Sequence, residues 1–440
     1  MAGKLSLNWH RRGLCFGRAG LGFGRAGLGG FRGGREQGVA TVSFLKRLFG
    51  GKPTSEEGPL AAEGVPGSLR PAAAPPGGRT RPFRLLSIDG GGIRGILPAM
   101  VLADLERRTN RPIIDLFDMI VGTSTGGLLG LALACPDEKG RPRHTARDIV
   151  RLYDVEGKRV FSRSVWHKIR SVGNLADGKY PTSGIEGVLQ DYFGEARLKD
   201  ALCDVVVPTY EIERRFPFFF KTSAAKAKGY YDYPMKQVIR AATAAPTYFE
   251  PAQIQIDSPN DYYALVDGAL FAYNPGMCAY VEALSRFPQF DSVLMVSLGT
   301  GELTRRLPYA ECKDWGAARW AQPVFALMCD GICDVVDYQL RQLLPERDGH
   351  KQYYRLQARL DVGNDDMDDA SNTNLRVLKL LGEDMLQANR TVLRSISDQL
   401  LAWAPARAGA PPPDTAADAP PPAMTPQQAK EMAAVSGETE

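Results

Sequence analysis

The sequence predicts a three-layer α/β fold, in which a mostly parallel central sheet carries helices on both faces. Apolar, β-rich segments alternate with helical patterns over most of the chain, as expected for such a sheet. Two of these segments, FRLLSI (83–88) and MIV (119–121), each pass through a glycine-rich turn directly into a helix. Residues 320–403 are mostly helical in pattern and are expected to pack as a C-terminal layer.

Each element follows from its local sequence. FRLLSI is followed by a helical pattern over residues 96–110, and MIV is followed by one over residues 128–134. Farther along, runs of apolar, β-branched and aromatic residues predict four more strands, and one segment with helical spacing predicts a helix. The strands are VVVPTYEI, FPFFFKT, YALVD and SVLMVSLG, and the helix is MKQVIRAATAA.

The turn after the first strand, DGGGIRG (89–95), is suited to holding a negative charge. Glycines let backbone N–H groups approach a ligand closely, and the start of the next helix adds partial positive charge. Three of the glycines also satisfy the dinucleotide fingerprint G-x-G-x-x-G, with Asp115 twenty residues beyond the last of them. A dinucleotide-binding oxidoreductase is therefore an alternative, although Asp89 would then lie beside the pyrophosphate.

The second turn places Ser124 in the pattern G-x-S-x-G, within IVGTSTGG. Gly122 and Gly126 lie two residues on either side of it, between an apolar strand and an apolar helix. This spacing is typical of a nucleophile elbow, a tight turn that lifts a serine out of the sheet. Residues 117–135 have about the length of a membrane span, but Asp118 and the polar residues among them favour a buried core helix.

A third stretch, YALVDGALFAYNP, puts Asp267 at the end of an apolar strand, followed by Gly268 and Ala269. An acid at a strand end beside small residues is well placed to enter a cleft. Taken alone, such an aspartate is more often a turn residue. An oxyanion formed at Ser124 would explain both glycine-rich turns, whereas a dinucleotide explains only the first.

Taken in order, DGGGIRG, GTSTG and DGA resemble the motifs of the patatin-like phospholipase family. The likeness extends over most of residues 83–380, through YPTSGIEGVLQDYFG, ATAAPTYFEP, VSLGTG and MDDASNTNLRVLKLLGEDM. The chain has DGA and AYNP where members often have DGG and ANNP. Ala269 is a usual variant, and Tyr273 is expected to alter the pocket rather than the catalytic pair.

The resemblance implies a patatin-like fold and a lipid acyl hydrolase that acts on phospholipid esters through a Ser-Asp dyad. Ser124 would be the nucleophile and Asp267 its base. The oxyanion would be held by N–H groups of the glycine loop, with Thr125 as a further candidate donor. The implied oxyanion loop comprises Gly90, Gly91, Gly92, Arg94 and Gly95. The implied elbow comprises Gly122, Thr123, Thr125 and Gly126, and Gly268 and Ala269 support the dyad.

An ordinary α/β-hydrolase triad stays open as an alternative. Ser124, Asp267 and His350 follow the chain order of that class. His350 lies in the charged segment ERDGHKQ, however, and the short spacing from glycine loop to elbow favours the dyad. Of the other three histidines, His10 lies in the N-terminal arm, and His144 and His167 are interpreted as surface residues.

The charge of the chain is distributed unevenly. Residues 1–52 contain ten Lys or Arg and one acid, a net charge of +9, which leaves −5 for the rest of a chain whose total is +4. The basic character therefore belongs to an arm, and no nucleic-acid-binding body is expected. The arm lacks the continuous apolar core of a secretory signal, and we expect a cytoplasmic protein that contacts the inner membrane surface peripherally.

Composition also suggests the domain boundaries. The expected parts are a flexible Gly-rich arm and Pro/Ala/Gly linker (1–81), a catalytic domain (82–302), a mostly helical part packed on it (303–403) and a Pro/Ala-rich tail (404–440).

The proposed chemistry needs neither a metal nor a cofactor. Seven scattered cysteines without C-x-x-C spacing indicate reduced thiols, and Cys329 and Cys333 lack the neighbours that would complete a zinc site. The acidic segment GNDDMDDASN lacks calcium-loop spacing and is expected to cap the next helix. Some bacterial proteins of similar sequence respond to cyclic nucleotides, but no residues here identify such an activator site.

Overall fold

The computed structural model describes residues 81–160, 182–256, 261–287, 290, 292–303, 306–347, 349–361 and 366–404. Almost all of the predicted N-terminal arm and C-terminal tail lies outside these residues, as do His10 and His167. The predicted boundary near residue 302 stays a prediction.

Within the described residues, the core of the fold is an eight-stranded sheet. Its strand order is β5-β6-β3-β2-β1-β7-β9, and β4 also pairs with β3. Strands β1, β2, β3, β7 and β9 run parallel, whereas β4, β5 and β6 join through antiparallel pairs. A separate parallel pair joins β8 and β10. The strands are β1 (Phe83–Ile88), β2 (Met119–Gly122), β3 (Asp204–Glu211), β4 (Phe216–Lys221), β5 (Ala252–Gln255), β6 (Tyr262–Asp267), β7 (Val293–Leu298), β8 (Glu302–Leu303), β9 (Tyr353–Leu356) and β10 (Arg359–Leu360).

Helices connect most of these strands. In chain order the helices of the described residues are α1 (Ile96–Thr109), α2 (Ile113–Leu116), α3 (Thr125–Ala134), α4 (Ala146–Val160), α5 (Thr182–Phe193), α6 (Thr222–Ala227), α7 (Met235–Ala242), α8 (Ala269–Ala272), α9 (Gly276–Arg286), α10 (Tyr309–Cys312), α11 (Ala317–Leu343), α12 (Asn372–Ala388) and α13 (Arg390–Ala402). Short 3-10 turns lie at Gly92–Gly95, Leu198–Asp200 and Gly229–Tyr231.

The sheet is buried on both faces. Alternate residues of a strand point to opposite faces. In β1, Leu86 and Ile88 join a large apolar cluster, whereas Phe83 and Leu85 join a second cluster. Helices α1, α3 and α4 contribute to the first cluster, and α9 and α11 contribute to the second. The predicted three-layer α/β class is therefore confirmed.

Most predicted elements are confirmed, with small differences at their ends. Helix α3 begins at Thr125 rather than at residue 128, so the helix starts immediately after the serine. Helix α7 ends at Ala242, short of the predicted AATAA end. Pro246 opposes a longer helix, because a proline disfavours helical conformation in the residue before it and its ring would clash with the carbonyl group four residues earlier, that of Ala242. Strand β9 lies within the mostly helical C-terminal region and pairs with β7.

Two further observations concern the membrane and the acidic segment. In the part of the chain that the structure describes, none of the helices combines the length and apolar character needed to cross a bilayer. Ser371 caps helix α12, since its side chain accepts a hydrogen bond from the N–H of Asn374. The expectation that GNDDMDDASN ends in a helix cap is confirmed for its described residues.

The topology brings three loops to one edge of the sheet. Strands β1, β2 and β7 are neighbours and parallel, so their carboxyl ends lie side by side. The glycine loop follows β1, the serine turn follows β2, and Thr300 follows β7. In open α/β sheets, ligands bind outside the carboxyl ends of the strands.

Candidate active site

Ser124 occupies a strained turn between β2 and α3. Its φ of 55° and ψ of −120° lie in a region that residues with a side chain rarely adopt. The flanking glycines are required by close packing: a Cβ at Gly122 would collide with the carbonyl oxygen of Gly126, and a Cβ at Gly126 would collide with that of Ile88. The G-x-S-x-G sequence therefore allows the turn that presents the serine.

Neighbouring threonines hold this turn from two sides. The hydroxyl of Thr123 donates to the carbonyl oxygen of Ala272 at 2.5 Å, which ties the elbow to helix α8. The hydroxyl of Thr125 is hydrogen-bonded to that of Tyr153 on α4. A Cβ at Gly95 would collide with both of these hydroxyl groups. The loop, the elbow and α4 are thus packed as one unit.

Asp267 ends strand β6 and is only 1% exposed. Its carboxylate accepts a hydrogen bond from the N–H of Ala269 at 2.9 Å and lies beside the Ser124 side chain, which also lines the pocket. Burial raises the pKa of Asp267 to about 7, against the lowering effect of the Ser124 side chain and the N–H of Ala269. A Cβ at Gly268 would collide with the carbonyl oxygen of Pro208, so the turn after Asp267 also requires a glycine. The structure therefore places a buried carboxylate against the serine.

Neither described histidine reaches this pair. His350 is exposed and lies in a turn closed by backbone hydrogen bonds with Arg347. The Nε2 atom of His144 lies 2.9 Å from the carbonyl oxygen of Tyr192, and neither histidine lines the pocket. The arrangement of the described residues favours a two-residue site over the Ser-Asp-His alternative.

The glycine loop contributes two residues to the lining of the same pocket. Gly91 and Gly92 line the pocket together with Ser124 and Asp267. Among the described residues, neither N–H has a hydrogen-bond partner. The N–H of Gly90 differs, because it donates to the carbonyl oxygen of Tyr273 at 2.9 Å. Gly90 therefore anchors the loop, whereas the next two residues offer free donors.

The loop conformation depends on Gly92 and on a distant segment. Gly92 has a φ of 58°, and a Cβ at this position would collide with the carbonyl oxygen of Met367. That same carbonyl oxygen accepts a hydrogen bond from the N–H of Ile93 at 2.9 Å. Met367 also lines the pocket, a role that its sequence did not indicate.

Arg94 lies beneath the loop and is 1% exposed. Its Nη2 atom donates to the Tyr273 hydroxyl at 2.8 Å, and its Nε atom donates to the Gly91 carbonyl oxygen at 3.4 Å. The Nη1 atom is buried without a hydrogen-bond partner among the described residues. Arg94 thus supports the loop and leaves positive charge close to it. Tyr273, predicted to alter the pocket, lines it and also holds the loop through its carbonyl group.

Asp89, the first residue of the loop motif, forms a buried ion pair that joins β1 to β9. Arg355 donates to its two carboxylate oxygens at 2.6 and 3.0 Å, and Arg355 also donates to Ser297 at 2.9 Å. Removal of either charged partner would leave an unpaired buried charge. Asp115, which the dinucleotide alternative needs, lies in α2 and does not line the pocket.

Beyond the polar end, the pocket is apolar. Its walls come from α3, α4, α5 and α11 and from the loop after α7. The large apolar side chains that line it include Leu128, Leu152, Val160, Ile185, Val188, Leu189, Phe249 and Phe325. A pocket of this composition suits a hydrocarbon chain whose polar end reaches Ser124.

The two cysteines of α11 lie near the loop. Cys329 is buried and packs in a small apolar cluster with Tyr273, whereas Cys333 is half-buried and its thiol donates to Asp89 at 3.5 Å. No group of three or more His, Cys, Asp or Glu residues in the described ranges could hold a metal ion.

Known proteins of similar sequence identify the family of this chain. A family model described as "Patatin-like phospholipase" matches residues 86–277. Patatin-T5 of Solanum tuberosum is 32% identical over 329 residues, which cover 69% of this chain and 83% of that protein. A second Solanum tuberosum protein, Probable inactive patatin-3-Kuras 1, is 32% identical over 329 residues, with coverage of 69% and 86%.

Among solved structures, VipD from Legionella pneumophila matches with 13% sequence identity and a TM-score of 0.37, covering 74% of this chain and 67% of its own. The family assignment rests on the sequence relatives, since they match over most of their own length. The chain therefore belongs to the patatin-like phospholipase family of lipid acyl hydrolases.

Proposed function

We propose that this protein hydrolyses acyl esters of phospholipids through a dyad of Ser124 and Asp267. Family membership alone does not carry the proposal, because one relative is named as probably inactive. The observation that carries it is the buried Asp267 beside Ser124, whose side chain lowers the pKa of that carboxyl group, in a largely apolar pocket that Gly91 and Gly92 also line.

Each group has one role in the proposed reaction. Asp267 accepts the hydroxyl proton while the Oγ atom of Ser124 attacks the ester carbonyl carbon. The N–H groups of Gly91 and Gly92 bind the oxygen that becomes negative, and Arg94 adds positive potential behind them. When the tetrahedral intermediate collapses, the leaving alcohol takes the proton from Asp267. Water then attacks the acyl-serine while the same carboxylate accepts a proton from it, and this proton passes to the Oγ atom of Ser124 as the fatty acid leaves.

The pKa of Asp267 predicts how the rate depends on pH. Asp267 accepts a proton only when it is ionised, and burial raises its pKa to about 7. The value of kcat/KM is therefore expected to rise roughly tenfold per pH unit below about pH 7 and to level off above it. The measurement is the hydrolysis of a soluble short-chain p-nitrophenyl ester from about pH 5 to about pH 9. A profile that is flat between about pH 5 and about pH 8 would contradict the role of Asp267 as base.

The substrate class is tested by identifying the products. Vesicles of phosphatidylcholine and phosphatidylglycerol are incubated with the full chain, and the lipids are resolved by mass spectrometry. Free fatty acid and lysophospholipid are expected, because the proposed chemistry cleaves only acyl esters. Diacylglycerol or phosphatidic acid as the main product would instead mean cleavage at the phosphate and would reject the proposal.

Membrane contact and a cytoplasmic location are part of the same proposal. A phospholipid ester lies at the membrane interface, and the basic residues of segment 1–52 offer about 1 kcal/mol each near an anionic surface. The same vesicle assay reports this contribution. Hydrolysis of anionic vesicles should fall as salt is added, since salt screens exposed charges, whereas hydrolysis of the soluble ester should not change. If salt lowered the hydrolysis of both substrates equally, the basic segment 1–52 would have no role in membrane contact.

A further inference from the structure

Thr300 lies directly behind the glycine loop, in the turn that follows strand β7. Its side chain is 1% exposed, and its hydroxyl donates a hydrogen bond to the carbonyl oxygen of Gly90. The two residues are 210 positions apart in the sequence. Thr300 does not line the pocket, so it does not contact a bound substrate.

The geometry of the peptide group transmits this contact to the pocket. The carbonyl of Gly90 and the N–H of Gly91 belong to one planar peptide group, and the described chain has no cis peptide bond. In a trans peptide group the C=O and the N–H point in opposite directions. Holding the Gly90 oxygen against Thr300 therefore holds the Gly91 N–H on the other side, toward the pocket that Gly91 lines.

A glycine-rich loop needs such a restraint. Glycine populates both positive and negative φ, so the peptide group between Gly90 and Gly91 is free to rotate unless a neighbour holds it. Rotation would turn a carbonyl oxygen toward the site where negative charge develops. The hydrogen bond also polarises the peptide group, which makes its N–H a stronger donor.

Thr300 also has a long contact with the Tyr273 hydroxyl and a packing contact with Gly91. Its hydroxyl oxygen lies 3.5 Å from the Tyr273 hydroxyl, beyond the usual O–H···O range. The Gly91 oxygen, which shares a peptide group with the Gly92 N–H, accepts the backbone N–H of Arg94 at 3.2 Å and the Nε atom of Arg94 at 3.4 Å. The side chain of Thr300 fills the space in which a Cβ on Gly91 would lie. Packing and hydrogen bonding are thus separable roles of this side chain.

We propose that Thr300 is a positioning residue that orients the Gly91 N–H as an oxyanion donor. The inference rests on the proposed hydrolase function and adds a residue to it. The hydroxyl of Thr300 acts on turnover through the Gly90 carbonyl, and its methyl group only packs against the loop.

Two substitutions separate the hydroxyl from the packing. Thr300→Val keeps the shape and removes the hydroxyl, whereas Thr300→Ser keeps the hydroxyl and removes a methyl group. Thr109→Val is the matched control, because Thr109 is also buried and donates to a main-chain carbonyl oxygen, that of Leu105, at 2.7 Å within helix α1. Each variant is assayed for kcat and KM on p-nitrophenyl butyrate and for its thermal midpoint.

Loss of an oxyanion donor costs about 10²- to 10³-fold in kcat, and a donor that is only less restrained should cost less. We expect Thr300→Val to lower kcat by about 10- to 100-fold with KM changed by less than about threefold. Thr300→Ser should keep kcat within about threefold of the parent, and Thr109→Val should lower only the thermal midpoint. The rate of serine phosphonylation by a fluorophosphonate should fall in parallel with kcat in Thr300→Val.

Two results would overturn the inference. One is a kcat for Thr300→Val within about threefold of the parent, and the other is an equal loss in Thr300→Ser and Thr300→Val. The variant Ser124→Ala separates this failure from failure of the proposed function. If Ser124→Ala is inactive and Thr300→Val is not, only the role of Thr300 is rejected. If Ser124→Ala keeps parental activity, the proposed function is rejected, and the role of Thr300 with it.

Discussion

Ser124→Ala is expected to lower ester hydrolysis by at least about 10⁴-fold, because the proposed covalent intermediate forms on the Ser124 hydroxyl. Alanine is small enough for the elbow, and the substitution removes the polar interaction between the Ser124 hydroxyl and Asp267. Its removal should lower the free energy of unfolding by about 1 kcal/mol. Turnover of p-nitrophenyl butyrate and the thermal midpoint are the two measurements.

Ser397→Ala provides the control for this substitution. Ser397 is also buried, and its hydroxyl donates to the carbonyl oxygen of Leu393 at 2.8 Å within α13. Its replacement should affect stability by a similar amount and leave turnover within about twofold of the parent. A Ser124→Ala protein that keeps more than about a tenth of the parental rate would remove Ser124 as the nucleophile.

Asp267→Asn is expected to lower turnover by at least about 10³-fold, since an amide cannot accept the hydroxyl proton. The same substitution should raise the thermal stability of the protein above about pH 7, although it lowers turnover. The carboxyl group of Asp267 has a pKa of about 7 in the folded chain, because of burial, and a pKa of about 4 in the unfolded chain. Stability contributed by this group is present below about pH 4 and is lost as pH rises to about pH 7.

Asparagine carries no charge to bury, so Asp267→Asn should have a higher thermal midpoint than the parent at about pH 8 and a smaller difference at about pH 5. Opposite changes in rate and stability distinguish a catalytic loss from unfolding. His350→Ala is the companion variant and should stay within about threefold of the parental rate, since His350 is exposed and outside the pocket. A loss of turnover in His350→Ala as large as that in Asp267→Asn would instead support a Ser-Asp-His triad.

The sequence predicted the parts of the fold that depend on local pattern. Strands such as Phe83–Ile88 and Val293–Leu298 are mostly apolar, and both are buried along their whole length. The serine elbow was readable because its glycines must lie two residues from Ser124. The ends of helices were less predictable, as α7 shows, because a single proline after the helix outweighed its apolar pattern.

The supporting residues of the site could not be predicted in the same way. Thr300 contacts Gly90 and Arg355 contacts Asp89 across 210 and 266 positions, respectively, and no local period reports such pairs. One signal was present for Thr300. In the segment VSLGTG a strand is followed by glycines, as it is in the glycine loop and in the serine turn. The sequence did not indicate a role for Met367, since this residue contacts the glycine loop through its backbone carbonyl group, which every residue type has.

The most direct test of the central claim is the site at which the protein forms a covalent adduct. The full chain is treated with a fluorophosphonate, digested, and analysed by peptide mass spectrometry. The proposed mechanism predicts one phosphonyl group on Ser124 in the parent, none in Ser124→Ala, and much slower labelling in Asp267→Asn. Labelling of a different residue, or an unlabelled Ser124 in protein that still hydrolyses esters, would contradict it.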